Sequence, residues 1–255
     1  MENGRYLELV WHKALAELRV EAARAYIGLL WWVVEPLLYM TAFYIAFGSG
    51  IRGGGTQAML FLLVGLVPWK WFASSVQNSS GSLQANSGLI QQVYFPKLIL
   101  PFIVVVANTI KFLIVLCMLL ALYMILGKGP TIYWVALPVI IVVQFLLISA
   151  AGSLFAAIVP IVPDLKLIVD NGLIVLMFIS GLFFDIHKLP PEKAMLLGLN
   201  PLIPLMECYR AILTNGAWPD WGSLVYLISV SLIAYACALI IMIRYDRHYA
   251  KLMIG

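Results

Sequence analysis

The chain has 255 residues, of which 63% are hydrophobic and only 11% charged, and its formal net charge is +4. This composition lies outside the range of soluble globular proteins and leaves no room for a separate soluble domain. The basic residues are scattered along the chain, which argues against nucleic acid as a partner.

Residues 1–26 are predicted to form an amphipathic helix on the cytoplasmic surface of the membrane. Apolar residues recur there at helical spacing, and charged residues lie off the stripe. The segment is too polar to span a bilayer. The same pattern also fits a helix that only anchors the chain. The stripe consists of Leu7, Trp11, Ala14, Leu18, Ala22 and Ala25.

Six later segments are long and apolar enough to cross a membrane, because a hydrocarbon core about 30 Å thick needs about 20 apolar residues in a helix. Six spans place both termini on one side, and the excess of Lys and Arg there, with Lys70 among them, puts that side in the cytoplasm. The predicted fold class is an all-α integral membrane protein with one transmembrane domain over residues 1–255. The predicted spans are residues 27–47, 59–76, 99–126, 132–158, 165–183 and 224–243, followed by a cytoplasmic tail at 244–255.

The polar segment between spans two and three, residues 79–97, is predicted to be a cytoplasmic loop, since its amides and hydroxyls cannot remain in hydrocarbon. Residues 89–94 fit a short helix with Leu89, Ile90 and Val93 on one face, which ends before Pro96. Such a helix, parallel to the membrane, is suited to receive force from a soluble partner. A plain connector fits the spacing equally well.

Between spans five and six, residues 184–223 alternate prolines with apolar runs that are too short to cross. One short amphipathic helix is predicted at residues 201–213, with Glu207 and Arg210 on a separate face, and a second at 191–197. Backbone of this broken kind is tolerated at membrane depth only where it is buried in protein or lines a watery cavity. The segment is therefore a candidate external gate.

The first span carries one stripe that combines Trp32, Tyr39, Phe43 and Phe47 with the carboxylate of Glu35. Aromatic faces attract the polarised C–H groups of sugar rings, so this ladder is a candidate wall of a glycan conduit. Helix packing combined with interfacial anchoring explains the same aromatic residues.

Glu35, Lys111 and Asp170 are the charged residues furthest from the span ends. Because an unpaired charge at the bilayer centre is costly, they are expected to face protein or water. Our hypothesis is that Glu35 and Lys111 pair with each other or line a common polar path.

No catalytic or metal-binding constellation is visible in the sequence. His12, His187 and His248 are dispersed, and the glycines around Lys128 lack the pattern of a phosphate loop. The cysteines are odd in number and two of them fall inside spans, which argues against a disulfide framework. The chain is therefore predicted not to be an enzyme and to bind neither a cofactor nor a metal of its own.

Three segments carry a family resemblance: ARAYIGLLWWVVEPLLYMTAFYIAFG, LIQQVYFPKLILP and LNPLIPLMECYRAIL. With them, the whole chain resembles the Wzm-like permeases of polysaccharide exporters in the type-2 ABC transporter superfamily. The resemblance implies a homodimer in the bacterial inner membrane that binds two copies of a separate ATPase, with ATP and Mg²⁺ held by that partner. The implied cargo is a lipid-linked polysaccharide such as O-antigen.

The resemblance also implies roles for individual residues. The coupling helix to the ATPase would include Leu89, Ile90, Val93 and Tyr94, and the interface helix beside it would include Leu7, Trp11 and Leu18. The channel would be lined by Trp32, Tyr39, Phe43 and Phe47, and the lipid pyrophosphate would meet Arg24 and Tyr26. The external gate would include Pro191, Leu197, Leu205, Tyr209 and Arg210.

Two alternatives stay open at this point. One is a type-2 ABC permease for teichoic acid, capsule, a drug or a simple lipid. The other, more distant, is a gradient-driven transporter or channel, although such proteins normally show internal repeats or several acidic residues at mid-membrane.

Overall fold

The computed structural model describes residues 2–24, 28–47, 55–92, 95–184, 186, 189–190, 192 and 197–252. Regular secondary structure in these ranges is entirely helical. Short 3₁₀ turns, Gly28–Leu30 and Ile132–Ala136, precede α2 and α7. The helices are α1 Glu2–Arg24, α2 Trp31–Phe47, α3 Gly55–Ser80, α4 Ser82–Ala85, α5 Ser87–Gln92, α6 Ile99–Ile125, α7 Leu137–Ile158, α8 Leu165–Ile179, α9 Leu202–Arg210 and α10 Trp221–Leu252.

In the described part of the chain, four helical segments are long and apolar enough to span a membrane. Two of the six predicted spans fall short of this length: α2 has 17 residues and α8 has 15. Helix α8 ends before the turn at Gly181, whose φ of 73° breaks the helix. The four long segments are Gln57–Ser80, Ile99–Ile125, Ile132–Ile158 and Trp221–Asp246.

Helix α3 is the centre of the bundle and packs against α2, α6, α7 and α8. Its span is 78% buried, whereas the span of α10, which packs on α7, is only 22% buried. At Gly152 the helices α7 and α3 come so close that an added Cβ would lie 2.9 Å from the Cβ of Ser79. Small residues at such crossings allow helix backbones to approach in a membrane protein.

Helix α1 packs along the first half of α6. Val10, Ala14 and Leu18 are buried and pack against Ile103 and Ala107. Ala14 and Leu18 belong to the predicted apolar stripe, whereas Trp11 of that stripe is exposed and Val10, one position away, is buried. The side chain of Leu7 lies outside the described residues.

The predicted loop at 79–97 is mostly helical. Helix α3 continues to Ser80, and α5 covers Ser87–Gln92, so it begins two residues before the predicted helix at 89–94. Val93 and Tyr94 lie outside the described residues. At the other end of the chain, α10 extends nine residues beyond the predicted limit at Ile243, to Leu252. This extension brings the end of α10 against α5.

Candidate functional site

A polar cavity of about 250 Å³ lies between α1, α2, α3 and α6. It is unusual in this apolar protein because it gathers two lysines and two glutamates with several amides. The lining includes Glu21, Trp32, Glu35, Lys70, Trp71, Ser74, Gln77, Asn78, Asn108, Lys111 and Phe112. We call this feature the polar cavity.

Two ion pairs organise the charges of the polar cavity. Lys70 Nζ donates to Glu35 Oε1 at 2.7 Å, and Lys111 donates to Glu21. The predicted pairing of Glu35 with Lys111 is therefore wrong, because each has a nearer partner on another helix. Glu35 and Lys111 nevertheless line the same polar cavity.

Aromatic rings accompany both lysines. Trp32 is only 8% exposed, and its indole N–H donates to Glu21 at 3.3 Å. The Nζ atom of Lys111 lies 5.5 Å from the centroid of the Trp32 ring. Lys70 Nζ lies 4.8 Å from the ring centroid of Tyr39, which is 40% exposed. Of the four predicted channel residues, Tyr39 is therefore exposed and Trp32 is buried. The side chains of Phe43 and Phe47 lie outside the described residues.

The third intramembrane charge, Asp170, is separate from the polar cavity. It pairs with Lys166 one helical turn away on α8. Lys166 Nζ also donates to the carbonyl of Gln77 at 3.1 Å and so ties α8 to α3. The arrangement satisfies both charges and has the geometry of a structural pair.

Helix α5 has one buried and one exposed apolar residue. Leu89 is 41% exposed, while Ile90 is 8% exposed and packs in a cluster with Leu83, Leu100 and Tyr249. The predicted common face of Leu89 and Ile90 is wrong, since adjacent residues on a helix point about 100° apart. Leu89 is exposed, whereas Ile90 fixes α5 to the bundle.

Polar contacts reinforce the attachment of this segment. Lys97 donates to Asp246 on α10, and Tyr249 donates to the carbonyl of Ala157 at 2.8 Å. Burial raises the pKa of Tyr249 to about 12, with Asp246 adding to the effect, so the phenol stays a donor at neutral pH.

Helix α1 joins the same network. Lys13 donates to Asn86, which lies between α4 and α5, at 2.8 Å. Burial raises the pKa of Glu17 on this helix, and the charges of Lys13 and Lys111 partly offset the increase. Arg24 ends α1, but its side chain lies outside the described residues, as does all of Tyr26. The proposed pyrophosphate contact of these two residues thus stays a prediction.

The segment before α10 is packed into the bundle. Leu205, Tyr209 and Arg210 on α9 are buried. Tyr209 donates to Gln144 on α7 at 2.7 Å, and Gln144 donates to the carbonyl of Pro68 within α3 at 2.9 Å. This buried relay joins three helices.

Arg210 is 1% exposed and holds the end of α8. Its guanidinium donates to the carbonyls of Gly181 at 2.7 Å and Leu182 at 3.0 Å, and it lies 3.6 Å from the ring centroid of Phe61. Glu207 and Arg210, which the sequence places on one helical face, form an ion pair at 3.1 Å. Of the other predicted gate residues, Leu197 is part of a short helical turn that is partly buried, and Pro191 lies outside the described residues.

Sequence reasoning missed Lys70, Glu21 and Gln144 as members of these polar contacts. From the sequence, Lys70 contributes only to the basic excess on the predicted cytoplasmic side, and Glu21 lies at the edge of the apolar stripe of residues 1–26 with no predicted partner. The available signal for Gln144 was a lone amide in the middle of an apolar span, which must find a partner in hydrocarbon.

Within the described ranges, no group of three His, Cys, Asp or Glu side chains is placed to hold a metal ion. Cys117, Cys208 and Cys237 are all described and are free thiols.

Comparisons with known proteins match this chain to transport proteins. The family described as ABC-2 type transporter matches residues 12–214. The chain is 32% identical over 234 residues to the O-antigen export system permease protein RfbA of Myxococcus xanthus. This alignment covers 91% of the chain and 90% of that protein. It is 26% identical to RfbA of Klebsiella pneumoniae, over 90% of this chain and 89% of that one. It is also 26% identical to the polysialic acid transport protein KpsM of Escherichia coli, over 86% of each chain.

Proposed function

Because the chain belongs to the ABC-2 type transporter family, as its membrane permease and not its ATPase, we propose that it exports a lipid-linked polysaccharide of the O-antigen kind across the bacterial inner membrane. The protein is a multi-pass membrane protein, and its family implies an ATPase subunit as partner. We further propose a homodimer that binds two ATPase copies, each of which binds ATP and Mg²⁺.

The observation that carries this proposal is the similarity to two O-antigen export permeases over about nine-tenths of the chain. The family match itself runs from residue 12, within α1, to residue 214, between α9 and α10. In the proposed topology α2 and α8 also cross the membrane, which gives six spans with both termini in the cytoplasm.

The geometry of α5 supports coupling to an ATPase. Leu89 is exposed for a partner, while Ile90 and the end of α10 attach the helix firmly to the bundle. We propose that force on α5 reaches α10 through the packing of Ile90 in one cluster with Tyr249, and α1 through the hydrogen bond of Lys13 to Asn86. In this proposal α1 is the interface helix and Leu89 belongs to the ATPase contact.

The polar cavity and its aromatic residues support passage of a glycan. We propose that Tyr39 lines the conduit directly, and that Trp32 becomes accessible if α1 moves away from α2 and releases Glu21. Phe43 and Phe47 would continue the aromatic wall, and Arg24 with Tyr26 would meet the lipid pyrophosphate, since arginine binds phosphate bidentately. The segment 191–213 would close the outer mouth.

Export of a capsular polysaccharide is the second candidate, favoured by the 26% identity to the polysialic acid transport protein over 86% of the chain. The membrane machinery would be the same and only the glycan would differ.

The direct test is deletion of the gene in its host, followed by analysis of the glycans. We expect surface polysaccharide to disappear and its lipid-linked form to accumulate on the cytoplasmic side, with recovery when the wild-type chain is restored. The affinity-purified chain should also retain an ATP-hydrolysing subunit. Transport by the purified chain alone in vesicles, driven by an ion gradient, would overturn the proposal.

A further inference from the structure

A second pocket with charged lining residues lies where α6 begins and α10 ends. It has a volume of about 540 Å³ and is lined by residues 96–98, before α6, and by residues 242–244, 246 and 248 of α10. It shares no lining residue with the polar cavity. We call it the α10 pocket.

The α10 pocket lies at the level of a lipid headgroup. Lys97, two residues before the span of α6, donates to Asp246, the last residue of the span of α10. Tyr249 donates to the carbonyl of Ala157, one residue before the span of α7 ends. Three spans therefore end at one level beside the pocket. In the proposed topology this level is the cytoplasmic edge of the hydrocarbon core.

The surface of α10 that leads from the pocket toward the middle of the membrane is apolar and open. Ile243 and Ile240 are 75% and 65% exposed, and Ile233, on the same face of the helix, is 66% exposed. Ile233 precedes Ile243 by ten residues, which is about 15 Å along the helix axis. This distance is half of a hydrocarbon core about 30 Å thick. An acyl chain can therefore run from the pocket to the bilayer centre, in the orientation of a lipid of that leaflet.

The charges of the α10 pocket favour an anionic headgroup. Asp246 is the one acid among its described lining residues, and Lys97, whose side chain is 7% exposed, neutralises it. Arg244 is exposed and forms no hydrogen bond or ion pair with the residues that the structure describes, so it leaves this lining with an excess positive charge. His248, also exposed, adds a ring N–H donor.

A phosphodiester matches this arrangement, because it carries one negative charge and presents two oxygens that an arginine can bind bidentately. A zwitterionic headgroup fits less well. Its ammonium would be repelled by Arg244 and would compete with Lys97 for Asp246.

We propose that the α10 pocket binds the headgroup of one anionic phospholipid of the phosphatidylglycerol class. The phosphate accepts from Arg244 and His248, the glycerol hydroxyls donate to Asp246, and one acyl chain lies along Ile243 and Ile240. Basic pockets between transmembrane helices on the cytoplasmic side are known to bind acidic headgroups. The assignment to the cytoplasmic leaflet rests on the proposed function and its topology, whereas the pocket itself is separate from the proposed glycan path.

Native mass spectrometry of the purified full chain tests the proposal with phosphatidylglycerol and phosphatidylcholine of identical acyl chains. We expect one phosphatidylglycerol to bind about 5-fold more tightly than phosphatidylcholine, which is the contribution of about one basic residue near a membrane surface. Glycerophosphoglycerol, the same headgroup without acyl chains, should not bind at these concentrations. Equal binding of the two lipids, or binding of glycerophosphoglycerol as tight as that of the lipid, would overturn the proposal.

Variants locate the bound lipid. Arg244→Gln should weaken phosphatidylglycerol about 5-fold and leave phosphatidylcholine unchanged, with partial recovery in Arg244→Lys. Lys128→Gln is the matched control, because it removes one positive charge just beyond the other end of α6 and should leave phosphatidylglycerol binding unchanged. Equal losses in Arg244→Gln and Lys128→Gln would show attraction to the overall charge and would exclude the α10 pocket. Thermal unfolding in detergent verifies that each variant is folded.

The same measurement on the chain bound to its ATPase distinguishes a lipid from a protein as the occupant. We expect phosphatidylglycerol to be retained in the complex. Its displacement by the ATPase would assign the α10 pocket to the subunit contact and overturn the proposal. These measurements need neither cargo nor ATP hydrolysis, so their failure leaves the proposed export function intact, and failure of the gene-deletion test leaves the lipid result intact.

Discussion

The phenol of Tyr209 on α9 donates a 2.7 Å hydrogen bond to Gln144 on α7, and both side chains are fully buried. Gln144 in turn donates a hydrogen bond to the carbonyl of Pro68 in α3. A segment too short to cross the membrane is thereby bonded to two long helices. This relay explains how a proline-rich segment can keep a fixed position at membrane depth, where its polar groups need partners.

Tyr209→Phe should lower the free energy of unfolding by about 1 kcal/mol, because Gln144 loses its donor in a buried site. Thermal unfolding in detergent measures the loss. Tyr226→Phe is the matched control, since the Tyr226 hydroxyl donates to Leu199 on an exposed surface where water can replace it. Equal effects of the two substitutions would contradict the importance of the relay.

The two ion pairs of the polar cavity predict a specific pattern of coupling. In double-mutant cycles, Glu35→Gln and Lys70→Gln should couple by about 0.2–1 kcal/mol, as expected for a partly exposed pair. Glu35→Gln and Lys111→Gln should be additive within about 0.5 kcal/mol, because each loses a different partner. Coupling between Glu35 and Lys111, together with additivity of Glu35 and Lys70, would contradict the ion pairs of the structure and support the pairing of Glu35 with Lys111.

Neighbouring residues on α5 should respond differently to substitution. Leu89→Asp should leave the thermal stability of the chain unchanged and reduce its stimulation of the ATPase, since the side chain is exposed. Ile90→Ala should cost about 2–5 kcal/mol, the range for a buried aliphatic residue cut back to alanine. The measurements are unfolding of the isolated chain and ATP hydrolysis by the complex. Normal ATPase stimulation by Leu89→Asp would exclude this residue from the partner contact.

The start of α10 should be sensitive to acid. Asp220 accepts bonds from the hydroxyl and backbone of Ser223 and from the backbone of Gly222, which hold the pKa of its carboxyl below the ordinary value of 3.8. A lowered pKa means that the ionised cap stabilises the fold above that ordinary value and that the stabilisation is lost as the pH falls through the folded-state pKa. Asp220→Ala should cost about 1 kcal/mol at neutral pH.

The pH profile of unfolding checks the mechanism of this cap. The difference in melting temperature between the wild type and Asp220→Ala should shrink as the pH falls below 3.8. A difference that is constant over the whole pH range would show that the carboxylate charge does not matter.

Two glycines should respond in opposite directions to the same change. Gly152→Ala places a methyl group 2.9 Å from the Cβ of Ser79 and should destabilise the protein by about 1–3 kcal/mol, because α7 and α3 must move apart. Gly172→Ala on α8 has no atom within 4 Å and should stabilise the helix by up to about 1 kcal/mol. Thermal unfolding distinguishes them, and a neutral Gly152→Ala would argue against the close helix crossing.

The sequence by itself determined the class of the protein and the approximate limits of its long helices. Long apolar runs have few alternatives in a membrane, because backbone polar groups in hydrocarbon must be satisfied within the helix. The predicted spans 99–126 and 132–158 accordingly agree with α6 and with α7 and its preceding turn to within a residue. The ion pair of Glu207 with Arg210 was also readable, since it depends only on local helical spacing.

Only the tertiary structure decided which charges and faces meet. Glu35 is 35 positions from Lys70 in the sequence, and Lys111 is 90 positions from Glu21. No local period encodes such contacts, because they depend on the rotation and depth of whole helices. The same holds for Ile90, which is buried in a cluster of residues from distant helices that includes Tyr249, beyond the predicted end of the last span. Local sequence fixes which segments become helical, whereas packing between distant segments fixes what each side chain contacts.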